Sequence, residues 1–179
     1  TENISSNYSG ADLQEKIRNC IIDHYTNNSI SYVILGGDSS PVTPSDNIIP
    51  HRGFYDDAYG ENENDIPADI YYSNLDGNWN TDGDTHWGEP GEDDLYSEVS
   101  IGRICVNSST EIQNQTHKLE MYQNSPVTAD LEKALMLGEL LWDDPTYGGD
   151  YKDEVADGSS AHGYTTAGVS SNFTITRLY

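Results

Sequence analysis

The chain has 179 residues, of which 35% are hydrophobic, and it sets 31 acidic residues against 8 Lys and Arg for a formal net charge of -23. That polyanion repels phosphate backbones and anionic lipid surfaces, so no nucleic-acid partner is expected. No apolar run approaches the ~20 residues of a membrane span, and the length suits one soluble α/β domain rather than two.

In chain order, Ala11 to Tyr25 places Leu13, Ile17, Cys20, Ile21 and His24 at helical spacing. Asp12 lies near the start of this helix, where a carboxylate favours the dipole, and Asn27 and Asn28 end it. Ser31 to Leu35 is a short β-branched and aromatic run closed by Gly36, Gly37 and Asp38, which predicts a buried strand. Residues 39 to 68 are rich in Pro, Asp and Gly, and Ala68 to Leu75 is a second strand candidate. A long acidic loop follows. Glu98 to Val106 predicts a strand, Thr110 to Gln123 a helix with Ile112, Leu119 and Tyr122 inward, and Lys133 to Leu141 a further strand. Phe173 to Tyr179 alternates as the last strand. Strands separated by helices predict an α/β fold, mainly a parallel sheet with helices on its faces. A strand-like run at Tyr179 leads us to expect further polypeptide after it.

The charge bears on ligands. Self-repulsion on this scale destabilises a compact state unless counter-ions offset it, and clustered carboxylates are the hard oxygen ligands that calcium prefers. In Asn74 to Asp94, oxygen-bearing side chains fall at alternate positions: Asn74, Asp76, Asn78, Asn80, Asp82 and Asp84. Gly77 and Gly83 permit turns between them. No bidentate Glu stands at EF-hand spacing, so Glu89, Glu92, Asp93, Asp94 or Glu98 would have to complete a site. A solvated acidic loop is the competing reading. The five histidines lack paired ligand spacing and no CxxC occurs, which disfavours zinc.

Compartment signals are few. The chain opens at Thr1 without Met or an apolar leader, and Asn-x-Ser/Thr acceptors occur at Asn3, Asn7, Asn27, Asn107, Asn114 and Asn172. Both fit a secreted or cell-surface protein. Cys20 and Cys105 could pair, but each sits in an apolar run where a buried free thiol fits equally well.

Several segments taken together resemble the gingipain-type cysteine peptidases. SYVILGGD at Ser31 to Asp38 resembles that family's strand ending in Gly-Asp, and IPHRGFYDD followed by ADIYYSNLDGNW is similar to its Asp-x-Tyr-Tyr-x-x-Leu-Asp-Gly segment. YSEVSIGRICV resembles the signature strand, the helix running to MYQNSP the one after it, and KALMLGELLWDD with TYGGDYKDEV the closing part of the first subdomain. Nearly the whole chain is covered, and the IGR strand with the Asp-Gly loop before it is the most distinctive portion.

The resemblance implies the N-terminal subdomain of a caspase-like peptidase domain. In that family a Cys thiolate attacks the peptide carbonyl and a His shuttles the proton. Both lie in the second subdomain, so a companion polypeptide segment would carry them and this fragment alone would be inactive. His162 precedes Gly, as the family's catalytic His does, but it stands before the last strand rather than after it. The resemblance makes Glu139 the best match to the acid that orients the catalytic His, with Asp143 or Asp144 as replacements. It makes Asp153 the best match to the acid of the primary specificity pocket, with Asp150 as competitor. A carboxylate there would favour Arg or Lys in a protein or peptide substrate. Two other classes stay open: a non-catalytic cation-binding structural or adhesive module, and a degenerate peptidase that has lost Cys and His.

Overall fold

A computed structural model of the chain describes residues 1–40, 42–57, 62–140 and 148–179. It is an α/β arrangement with short parallel sheets, in two compact units, Thr1–Gln115 and Thr116–Tyr179.

The first unit begins with helices α1 (Glu2–Asn7) and α2 (Leu13–Asn28). Asp12 caps α2 by accepting the Glu15 N–H at 2.8 Å, which satisfies one of the orphan donors of the first turn. Ser29 ends the helix in the left-handed region, with φ 54, one residue beyond the Asn pair. Strand β1 (Tyr32–Gly36) pairs in parallel with β4 (Ser100–Ile104), Tyr32 opposite Ser100 and Gly36 opposite Ile104. Between them lie an antiparallel hairpin, β2 (Arg52–Asp56) and β3 (Glu63–Ala68), and the short helix α3 (Ile70–Ser73). Ile17 and Ile21 of α2, Leu35 of β1, Tyr71 and Tyr72 of α3, Leu75, Trp79 and Val99 form the core.

Two expectations are corrected here. Ala68 to Leu75 is not a strand: Tyr72 N–H bonds the Asp69 carbonyl and Asn74 N–H that of Ile70, making one helical turn. Strand geometry would send Tyr71 and Tyr72 to opposite faces, yet both are buried and meet edge to face, 5.4 Å apart. Their burial overrides their β propensity. The hairpin β2/β3 also occupies part of the stretch expected to be irregular, because Arg52 and Phe54 anchor it to the core side.

Helix α4 (Ser109–Asn124) runs across the boundary between the units. Ile112, Leu119 and Tyr122, expected inward, are 41%, 42% and 68% exposed, and α4 buries no residue among those described. Helical spacing fixes a shared face but not what covers it.

In the second unit, β5 (Lys133–Leu137) and β6 (Thr174–Leu178) pair in parallel, Met136 opposite Arg177, and helix α5 (Gly148–Asp157) lies between them in sequence. The expected strand end at Leu141 lies outside the described residues. Gly149 and Ala156 are the buried positions of α5. A parallel pair needs such a crossover connection, and α5 supplies its helical part.

Candidate functional site

The carboxyl ends of β1 and β4 carry the residues that looked most distinctive in the sequence. Gly37 N–H bonds the Ile104 carbonyl and Asp38 N–H that of Val106, which extends the ladder past β1. Arg103, the arginine of the IGR run, grips Asp69 with Nε at 2.7 Å and Nη2 at 2.6 Å. Its Nη1 donates to the carbonyls of Gly37 and Ile49 at 2.9 and 2.7 Å. One planar guanidinium therefore ties β4, the end of β1, the segment before β2 and the start of α3, which the fork geometry of Arg permits and Lys could not reproduce.

Beside this clamp runs a polar chain. The Ser39 hydroxyl is 2.6 Å from His51 Nδ1, and His51 Nε2 is 3.0 Å from the Asp65 carboxylate. His51 is buried, and its backbone N–H donates to Ser39 Oγ at 2.8 Å. A Cβ on Gly53 would meet the Asp65 Oδ1 at 2.3 Å, so only glycine lets Asp65 reach the imidazole.

The acidic loop is organised around Asn74. This residue is fully buried: its Nδ2 donates to the Tyr96 carbonyl, and its Oδ1 accepts from Gly77 N–H and Trp79 Nε1. Arg18 adds bonds to the Asn74 and Gly77 carbonyls. Asn74 is thus a structural hub and not an outward oxygen ligand. Several other oxygens serve the loop's own backbone. Glu98 Oε2 accepts the Leu75 N–H, Asp94 Oδ1 that of Tyr96, and Asn78 Oδ1 that of Asn80. Asp76 is exposed.

Asp82, Asp84 and Glu92 do converge. Asp84, His86 and Glu89 present ligand atoms within 4.8 Å of one another, as do Asp82, Glu89 and Glu92, so Glu89 belongs to both groups. Partial desolvation and the carboxylates of Asp84 and Asp82 push Glu89 up from its ordinary value, as mutual repulsion requires. Glu92 Oε1 accepts the N–H groups of Thr81 and Asp82, and Asn80 Nδ2 donates to the Asp84 carbonyl. Glu92 Oε2 and Asn80 Oδ1 are buried atoms with no hydrogen-bond donor. Carboxylates around unsatisfied oxygens form a donor set that fits a hard divalent cation. Glu89 was among the acids expected to complete a site, whereas His86 was the residue that spacing alone left out, because its place follows from the turn at Gly88, where a Cβ would strike the Phe54 ring.

The second unit holds the acids expected near substrate. Glu139 is exposed just beyond β5, and its carbonyl accepts the Gly148 N–H that opens α5. Asp150 is exposed in the first turn of α5. Asp153 sits one turn further on, where Arg177 Nε donates to its Oδ1 at 2.8 Å and the Tyr179 hydroxyl bonds the same oxygen. Tyr179 and Arg177 together hold the Asp153 carboxyl below the usual range. Asp143 and Asp144 lie outside the described residues. Cys20 and Cys105 are free thiols, the first half-buried beside Tyr8 and the second exposed past β4 rather than buried.

The family model of peptidase family C25 matches residues 1–179, the whole chain. The chain belongs to the C25, or gingipain, family of cysteine peptidases. No curated protein and no solved structure matches it. Within a C25 chain, the IGR arginine and the Asp-x-Tyr-Tyr segment are structural partners here, since Arg103 binds Asp69 and the two tyrosines fill the core beneath.

Proposed function

We propose that this chain is the N-terminal part of a secreted or cell-surface, calcium-binding cysteine endopeptidase. On this reading it is the first subdomain of a caspase-like domain, with helices on both faces of its sheet. A companion segment carries the Cys/His dyad and completes the site for a protein or peptide substrate. The observation that carries the proposal is the family match over the whole chain. The engaged imidazoles support it: His51 is held between Ser39 and Asp65, and His86 stacks on Tyr55 beside Asp84. Neither Cys20 nor Cys105 is among the partners described for these two rings.

In the complete enzyme, Glu139 orients the catalytic imidazole, and Asp153 or Asp150 faces the primary specificity pocket. A carboxylate bonded to the imidazole fixes its tautomer and stabilises the imidazolium. Calcium binds the acidic loop through Asp82, Asp84, Glu89 and Glu92, where it offsets the charge repulsion; Asp76, Asn78, Asn80, Asp94 and Glu98 brace or extend that loop. The test is peptide hydrolysis by the complete protein and by residues 1 to 179 alone. We expect activity blocked by thiol alkylation in the first and none in the second. Substrate-competed labelling of Cys20 or Cys105 by a thiol-reactive peptide would overturn the assignment of the dyad, and an inactive complete protein would leave a cation-binding module.

A further inference from the structure

We propose that Ser39, His51 and Asp65 form an acyl-transfer centre that takes small esters, with Ser39 as the nucleophile, His51 as its base and Asp65 as the acid that orients the base. The roles follow from the protonation states that the bonds demand. An ionised carboxylate only accepts hydrogen bonds, so Asp65, 3.0 Å from His51 Nε2, takes the ring proton there. Nδ1 of the neutral ring is then an acceptor, and the Ser39 hydroxyl at 2.6 Å is its donor. The same Oγ accepts the His51 backbone N–H at 2.8 Å, which turns the hydroxyl proton toward the ring and stabilises negative charge on the oxygen. Nucleophile, base and orienting acid stand in the order of a serine peptidase relay with the two ring nitrogens exchanged, which leaves the proton path unchanged.

Ser39 lies just past the carboxyl end of the parallel strand β1, where open α/β sheets gather functional groups. The buried His51 joins a half-buried Ser39 to an Asp65 side chain that is 49% exposed. His51 and Asp65 line a cavity of about 450 Å³ with Leu13, Gln14, Asn47 and Pro50, a size that holds a small ligand. Leu13 and Pro50 give a short acyl chain an apolar wall. The amides of Gln14 and Asn47 each spend one N–H on a protein carbonyl, that of His51 and that of Ser40, and each carries a second N–H for a ligand oxygen. In the reaction the Ser39 proton passes to His51 Nδ1 as Oγ bonds the ester carbon, and the carbonyl electron pair moves onto its oxygen. The alcohol leaves with the proton from Nδ1. Water then gives a proton to Nδ1 and attacks the acyl-serine, releasing the carboxylic acid and restoring the Ser39 hydroxyl, with no redox change. Asp65 stays ionised throughout and stabilises the imidazolium.

The experiment uses the complete protein with its thiols fully alkylated, so that the result is independent of the peptidase reading. The probes are an alkyl fluorophosphonate, located by peptide mass mapping, and p-nitrophenyl acetate. Wild type should take one fluorophosphonate adduct, on Ser39, and lose its esterase turnover in step with that labelling. Ser39→Ala should abolish both, and Asp65→Asn, which keeps the size of the side chain, should slow both by about 100-fold. A structural tie alone would leave the labelling rate of a folded Asp65→Asn unchanged, and that outcome overturns the proposal. So does wild type that takes no adduct on Ser39, or ester turnover that survives in Ser39→Ala. If either variant fails to fold, wild type decides alone: an adduct on Ser39 that removes turnover sustains the centre, and an adduct elsewhere or none overturns it.

Discussion

Arg52 holds both carboxylate oxygens of Asp12, Nη1 at 2.8 Å and Nη2 at 2.9 Å, while its guanidinium lies 3.7 Å from the centre of the Trp87 ring and 4.6 Å from that of Tyr71. The pair joins the N-cap of α2 to the first residue of β2 and is roofed by Trp87 of the acidic loop. Arg52 is buried whereas Asp12 is partly exposed, so the two ends are unequal. Arg52→Ala strips a desolvated cation and its stacking and should cost about 3 kcal/mol; Asp12→Ala, which loses a cap and one partner, should cost about 2 kcal/mol. Urea melts of both and of the double variant check this, and simple additivity would show that the two do not interact.

The same pair predicts acid sensitivity. Burial pushes the Asp12 carboxyl up, and the bonds from Arg52 and the Glu15 N–H more than offset that, so its folded pKa lies below the ordinary value. A depressed carboxylate pKa contributes stability that is full above the unfolded value of about 3.9 and is lost as pH falls through the lower folded value. Wild type should therefore lose stability on acidification below about pH 4 more steeply than Asp12→Asn, as read from melts between pH 6 and pH 2.

Calcium should raise the melting temperature. A ligand bound only by the folded state adds about 2.7 kcal/mol at 100 times its Kd. Because Glu89 belongs to both acidic groups, Glu89→Gln should remove more of the response than Asp76→Asn, and Asp130→Ala, paired with Lys133 elsewhere, should leave it intact. Coincident melts in calcium and in chelator at matched ionic strength would end the calcium proposal.

Arg103→Lys should destabilise the first unit by about 2 kcal/mol despite its conserved charge, since one ammonium cannot serve Asp69, Gly37 and Ile49 together. Hydrogen exchange should quicken at Gly37 and Asp38, whose N–H groups bond the carbonyls of Ile104 in β4 and of Val106. Unchanged exchange there would mean that the β1/β4 ladder holds without the clamp.

Glu139→Gln in the complete enzyme should keep the fold and lower kcat by about 10-fold to 10⁴-fold, the upper end being the cost measured for the orienting acid of a serine peptidase. Full activity in that variant, with Asp143→Asn or Asp144→Asn impaired, would move the orienting role to those neighbours.

The family and part of the element order were legible in the sequence because they rest on local information, whereas α1, the β2/β3 hairpin, α3 and α5 were not. Helix α2 and strands β1, β4, β5 and β6 follow from spacing within a few residues, and Asp12 was legible as a carboxylate near the helix start although its cap bond was not. The family was legible because its motifs are short contiguous strings such as SYVILGGD and YSEVSIGRICV.

The tertiary structure decided what the polar residues do, because a hydrogen bond or ion pair depends on distance in space and not on separation in sequence. Asn74 and Asp76 belong to the same alternating run of oxygens, yet one is a buried hub and the other exposed. Tyr71 and Tyr72 favour a strand locally, and their shared burial makes a helical turn. Arg103 finds Asp69 across 34 positions and Arg177 finds Asp153 across 24, and no periodicity announces either partner. The sequence by itself determined the family, the charge and the principal helices and strands; the partners of each carboxylate, and with them which acids are left for a cation or a substrate, were set by packing.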